Sequence, residues 1–283
     1  MDDVYLRRLT GRDLAFLAAA GGDRGGRASA FRTEPGRIEQ LIGSSEAFDA
    51  LFAPWSEHPF TVASPFLVFS VLLAGTAREL GATTFVREWV GPRQRIPVFD
   101  VQALRGFLGE PLHRIFLADV LASCTRVSSG SVWVRDRRGW TRRRFSELDP
   151  VRLAALLDVV PQSDRPPVYR RLGDLALFLS GVFPDAAERL FRPVQIERLE
   201  RALAEVTGSG DQVPAEPPGA VGLLERLGRR SYRAVLQSAP AHPFDTRKAL
   251  LHVIDRFTDA RRVLNVITDR RLFPVRADWF PST

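Results

Sequence analysis

Nineteen consecutive residues, Pro59 to Ala77, carry no formal charge. Such a run either crosses a membrane or sits at the centre of a folded domain, because a helix without a polar face has no side to offer to water. Its punctuation is helical: Ser64 is placed to N-cap, Pro65 stands at the first helical position and Gly81 follows the last turn. Pro65 to Leu80 would span about 24 Å at 1.5 Å per residue, short of the roughly 30 Å hydrocarbon core. Arg78 and Glu79 already occupy its last turn. The expectation is a buried central helix with other elements packed around it, and no membrane partner.

The rest of the composition fits that reading. Of 283 residues, 45% are hydrophobic and 26% charged, ordinary globular usage that excludes a disordered or acidic tail protein. The length suggests about two domains. The acidic start Met1-Asp2-Asp3 lacks the basic region of a signal peptide, so a cytoplasmic location is expected. A single cysteine, Cys124, rules out an intrachain disulfide and a cysteine-based metal site. Its place in the apolar run Leu121 to Cys124 marks it as a small buried residue.

Proline and glycine divide most of the remaining chain into helices, predicted at 11–20, 35–51, 65–80, 101–108, 111–123, 150–159, 167–182, 185–190, 193–207, 219–238 and 245–271. Asp100 and Asp245 are placed as N-caps. The glycine cluster at 21–26 follows no strand and lacks phosphate-loop spacing, so it reads as a loop. Residues 207–218, rich in Gly, Ser and Pro, form the clearest linker. The expected organisation is an N-terminal helical segment (1–59), a central domain (60–160), a helical extension (161–206), that linker, and a C-terminal helical domain (219–283) suited to dimerisation or partner contact.

The strongest strand signal is Ser131 to Phe145, where two runs of β-formers flank Asp136-Arg-Arg-Gly139. Arg95 to Phe99 is a second extended candidate. The central order is therefore helix, extended segment, short helix, turn, helix, arginine-rich hairpin. At Leu104-Arg-Gly-Phe-Leu-Gly109-Glu-Pro-Leu-His113-Arg-Ile115 a Leu-Gly turn is followed, six residues after the glycine, by an apolar residue. In helix-turn-helix units that spacing packs the second helix across the first.

Residues 60–160 resemble the winged helix superfamily. The stretch from Arg138 through Asp149-Pro150 to Leu157 is similar to the wing and closing helix of arsenic-repressor-type regulators. The resemblance implies a mainly α fold with one β-hairpin, His113 and Arg114 near a DNA groove, and wing arginines on phosphates. Asp119 departs from the pattern, standing where a second helix usually carries a core leucine. The implied reading face continues with Phe116 and Leu117, whereas base edges call for hydrogen-bonding side chains. Two partners therefore stay open: nucleic acid, or an acidic protein docked on a degenerate winged helix.

Charge placement is more telling than the net +7. Residues 131–145 carry Arg135, Arg137, Arg138, Arg142, Arg143 and Arg144 against Asp136, a local +5, with Trp133, Trp140 and Phe145 interleaved. Residues 226–276 carry eleven arginines and Lys248 against four aspartates, a local +8, and everything else sums to −6. Such segments suit a polyanion. In the second, Arg229, Arg230, Arg261 and Arg262 are candidates for partner contact.

Nothing points to catalysis. His58, His113, His242 and His252 include no pair at zinc spacing, and His-Glu-x-x-His is absent. Glu57-His58 and Gly173-Asp174 lack a nucleophile at a recognisable elbow, and Ser180-Gly181 reads as a helix C-terminal cap. The expectation is a nucleic-acid-binding regulator, DNA being favoured, with no metal, cofactor or enzymatic activity. The alternative is a helical adaptor.

Overall fold

A computed structural model describes residues 2–22, 31, 36–53, 58–126, 129–136, 139–146, 149–190, 219–238 and 244–280. The expected helix at 193–207, the linker at 207–218 and residues 23–26 of the glycine cluster lie outside these. The fold is mainly α with an antiparallel hairpin, as anticipated. The chain divides into two compact units, one of residues 1–86 and 99–125, the other of 87–98 and 126–283.

In the first unit, α1 (Asp2–Leu6), α2 (Gly11–Ala20), α3 (Arg37–Ile42), α4 (Ser45–Phe52), α5 (Pro59–Val62), α7 (Val101–Gly109) and α8 (Pro111–Cys124) accompany the apolar rod α6 (Pro65–Gly81). Every residue of α6 from Phe66 to Thr76 is buried. Its two hydroxyls are accommodated locally, Ser70 donating to the Phe66 carbonyl at 2.8 Å and Thr76 to that of Leu72 at 2.9 Å. Ser64 caps the helix as predicted, accepting from the Leu67 N–H at 3.3 Å. Buried Asp13 ties two helix starts together: its Oδ2 accepts from the Thr10 hydroxyl at 2.8 Å and its Oδ1 from the Ser64 N–H at 2.7 Å.

The helix expected over 35–51 is two helices, because Gly43 ends α3 and the Ser44 side chain caps α4. Asp100 precedes α7 without a side-chain cap bond. Asp119 is no core defect, since it pairs with Arg8, in the turn after α1, at 2.7 Å. Cys124 is fully buried.

The second unit holds a ribbon of β1 (Val86–Gly91, its first residue belonging to the first unit) and β2 (Gln94–Val98), the hairpin β3 (Ser129–Asp136) and β4 (Gly139–Ser146), then α9 (Pro150–Ala154), α10 (Arg165–Val182), α11 (Pro184–Leu190), α12 (Gly219–Ser238), α13 (Phe244–Asp255), α14 (Phe257–Ile267) and α15 (Arg276–Trp279). The helix predicted at 245–271 breaks at Arg256, and a π-helical turn, Thr268–Leu272, follows α14.

Helices α10, α12 and α14 form the core of this unit by notching. A Cβ on Gly173 would collide with the Tyr232 ring, and one on Gly228 with the Phe257 ring, so each glycine is the socket for an aromatic side chain. Ser180-Gly181 is not a helix cap but part of this interior. The Ser180 hydroxyl donates to the Ala176 carbonyl at 2.7 Å, and a Cβ at Gly181 would lie 2.6 Å from Leu264.

Candidate nucleic-acid interface

The β3–β4 register sorts the hairpin's residues into two sets. Trp133 pairs with Arg142, Arg135 with Trp140 and Ser131 with Arg144, while Val132 pairs with Arg143, Val134 with Thr141 and Gly130 with Phe145. Since successive strand positions alternate between the two sides of a sheet, the first set shares one side and the second set the other. One side thus holds the positions of both tryptophans and three arginines. The other holds two valines, a phenylalanine, a threonine and a single arginine. Arg137 and Arg138, also expected in the interface, lie outside the described residues.

The predicted reading helix is placed differently from the expectation. His113 is 3% exposed, its ring stacked on Phe107 with centroids 4.3 Å apart, and its Nδ1–H donates to the Phe107 carbonyl at 2.8 Å. The carbonyl can only accept, which assigns the proton to Nδ1. Arg114 sends one guanidinium nitrogen to the carbonyls of Leu108 at 2.5 Å and Gly109 at 3.2 Å, and another to Glu39 at 2.6 Å. Carbonyls in the last turn of a helix have no intrahelical partner, and positive groups suit that end of its dipole. His113 and Arg114 therefore finish α7. Phe116 and Leu117, proposed as an apolar docking pair, are core residues at 4% and 0% exposure. The apolar character of α8 reflects its packing against α6, which removes both candidate surfaces from this helix.

The second basic segment is also corrected. Arg229, Arg261 and Arg262 are all under a tenth exposed. Arg261 meets the fully buried Glu225 at 2.5 Å, with Arg229 3.8 Å from the same carboxylate. Arg229 also donates to the Ile254 carbonyl at 2.6 Å, and Thr258 to Glu225 at 2.9 Å. Arg262 pairs with Glu88 and Asp259. Arg230 is half-buried. The guanidiniums of Arg229, Arg261 and Arg262 answer internal carboxylates and carbonyls, so these three serve the fold. Asp174, weighed as an acid/base candidate, is likewise structural: it accepts from Tyr232 and from Arg170.

One polar junction was not anticipated. The Asp185 carboxylate, at the start of α11, accepts from the Trp89 indole N–H at 2.7 Å and from the Arg93 backbone N–H at 3.1 Å, and lies 3.7 Å from Arg95. Arg95 in turn pairs with Asp269 of the π turn at 2.9 Å. Burial by itself would raise the Asp185 carboxyl, but those two hydrogen bonds and the charges of Arg95 and Arg189 hold it below the ordinary aspartate range. Nearby, burial draws the Arg276 guanidinium below its ordinary value against the opposing pull of Asp185 and Asp269. The bond to Asp185 also anchors Arg93, whose φ of 59° is uncommon for a residue with a side chain. Only the proline before it, which pre-sets a turn, signals this in the sequence.

Comparison with protein-family models, with curated proteins and with solved structures finds no match to this chain. Among the described residues, no helix is long and apolar enough to cross a membrane.

Proposed function

We propose that the protein binds nucleic acid through the β3–β4 hairpin, without the helix-in-groove contact that the winged-helix resemblance implies. The observation that carries this reading is the pairing register, which gathers Arg135, Arg142, Arg144, Trp133 and Trp140 at positions on one side of the ribbon. Arginines neutralise phosphates and release counterions, and tryptophan faces stack on bases. Interleaving of the two suits a strand whose bases are accessible better than a closed duplex. Such binding depends weakly on sequence, in keeping with the engagement of His113 and Arg114 by α7 and Glu39.

The internal pairing of Arg229, Arg261 and Arg262 removes these three from the candidate contacts, and the hairpin carries the higher density of positive charge along the sequence. The adaptor alternative drew on Phe116 and Leu117, and their burial withdraws its motive.

Fluorescence anisotropy with labelled single-stranded and duplex oligonucleotides across a salt series tests the reading. Tighter binding to the single strand is expected, weakening steeply with salt. Replacing Arg142 and Arg144 by alanine should reduce the log–log salt slope by roughly 1.4 on a single strand. Absence of binding at low salt, or an unchanged slope in that double variant, would remove the proposal.

A further inference from the structure

We propose that a cleft in the first unit is a binding site for a small organic carboxylate. The cleft has a volume of about 340 Å³ and is lined by residues of α1, α3, α6 and α8 together with Gly43. That volume lies at the lower end of the range for small-molecule sites. Its apolar floor includes Ile42, Ala74 and Ala77, and the two alanines of α6 leave open the space that longer side chains would fill.

Three charged side chains line it: Glu39, Arg78 and Arg114. Two are engaged with each other, Arg114 to Glu39 at 2.6 Å, and Arg114 is held further by the carbonyls that end α7. Arg78 stands exposed in the last turn of α6, acts on the Glu46 carboxylate only through its charge, and is hydrogen-bonded to no other described residue. The cleft thus combines a self-neutralising pair with one guanidinium whose planar fork is open to a carboxylate. The exposed amide of Gln40 adds an N–H donor on the same lining.

The charge balance selects the ligand class. The lining carries two arginines against one glutamate, and the Glu46 carboxylate also lies within the field of Arg78, so a single negative charge is the most the cleft accommodates. A phosphate dianion would bring its second charge toward the Glu39 carboxylate with only Arg78 unengaged to meet it. The floor of Ile42 and alanines would take up an apolar body attached to the carboxylate. This site uses the first unit alone and stands independently of the hairpin reading.

Isothermal titration of the full chain with benzoate, hexanoate and inorganic phosphate decides the matter. The expected result is saturable binding of benzoate or hexanoate, weakened at least about tenfold by Arg78→Gln, with phosphate bound far more weakly. Ala77→Phe, which fills the floor, should abolish carboxylate binding. Thermal unfolding shows whether that variant folds. If it does not, Arg78→Gln, at an exposed position, remains the deciding variant. No saturable binding of either carboxylate up to about 10 mM would overturn the proposal, as would unchanged affinity in Arg78→Gln or phosphate bound as tightly as the carboxylates.

Discussion

The Tyr232 hydroxyl donates to Asp174 at 2.8 Å while the ring of the same side chain fills the notch at Gly173, one residue away along α10. Arg170 completes the arrangement, pairing with Asp174 at 2.9 Å and lying 5.7 Å from the Tyr232 ring centroid. Shape and hydrogen bonding therefore fix the same crossing of α10 and α12. Gly173→Ala should destabilise the protein by about 1–3 kcal/mol through overpacking. Tyr232→Phe, which keeps the ring, should cost about 1–2 kcal/mol for the lost hydrogen bond to a charged group. Urea unfolding of both variants measures the two contributions separately; a Gly173→Ala protein as stable as the parent would mean that the crossing is not tight.

Glu225 and Arg261 form a buried pair whose removal in halves should hurt more than its removal whole. Glu225→Gln leaves guanidiniums without a balancing charge and should cost on the order of 3–5 kcal/mol. Glu225→Met combined with Arg261→Met should recover much of that loss. Equal loss in the single and double variants would indicate that the stabilising unit is the wider network, with Arg229 and Thr258 beside Glu225 and with Asn265, whose Oδ1 accepts from Arg261 at 2.8 Å.

Asp185 gives a pH signature. Its folded-state pKa is lowered, so its contribution to stability is complete above the unfolded aspartate value of about 3.9 and disappears as the pH falls through the lower folded value. Asp185→Asn should therefore be less stable than the parent at neutral pH, and the difference should shrink on acidification below about pH 4. Denaturant midpoints compared across that window check the sign. A gap that widens in acid would contradict it.

His113 and Arg114 separate scaffolding from binding. Arg114→Ala leaves α7 carbonyls and Glu39 unanswered and should lower stability by about 1–3 kcal/mol. It should leave oligonucleotide affinity nearly unchanged. The Arg142→Ala, Arg144→Ala pair should show the reverse, with affinity lost and the unfolding midpoint kept. Anisotropy and thermal unfolding on the same samples distinguish the two patterns.

Several of these features were readable from residue order. The charge-free run at 59–77 announced the buried rod, Ser64 and Pro65 marked its start, and Asp-Arg-Arg-Gly located the hairpin between two runs of β-formers. Local rules failed where tertiary partners decide. Nothing near Arg261 discloses that a buried carboxylate waits 36 positions earlier, or near Arg262 that Glu88 lies 174 positions back. The same limit applies to His113 and Arg114, whose chemistry suits a groove as well as it suits the end of a helix. Whether they face DNA or the carbonyls of α7 depends on how closely α8 returns against the preceding turn. The strand Val86–Gly91 is not legible in the sequence because its alternation is short and its anchors, Asp185 and Arg262, are remote along the chain.

The ribbon at 86–98 also sets a timetable for synthesis. Glu88 and Arg95 each emerge 174 residues ahead of the groups that hold them, Arg262 and Asp269. At about 5–20 residues per second, those two ion pairs wait roughly 9 to 35 s on the ribosome before they can close, while Asp185, 96 positions after Trp89, is available to the ribbon sooner. Meanwhile helices 101–124, which belong with the first unit, already have nearly all of that unit's chain available to pack against. The nascent protein thus completes its earlier half around an unfinished detour, which α11 first engages and α14 with the π turn then closes.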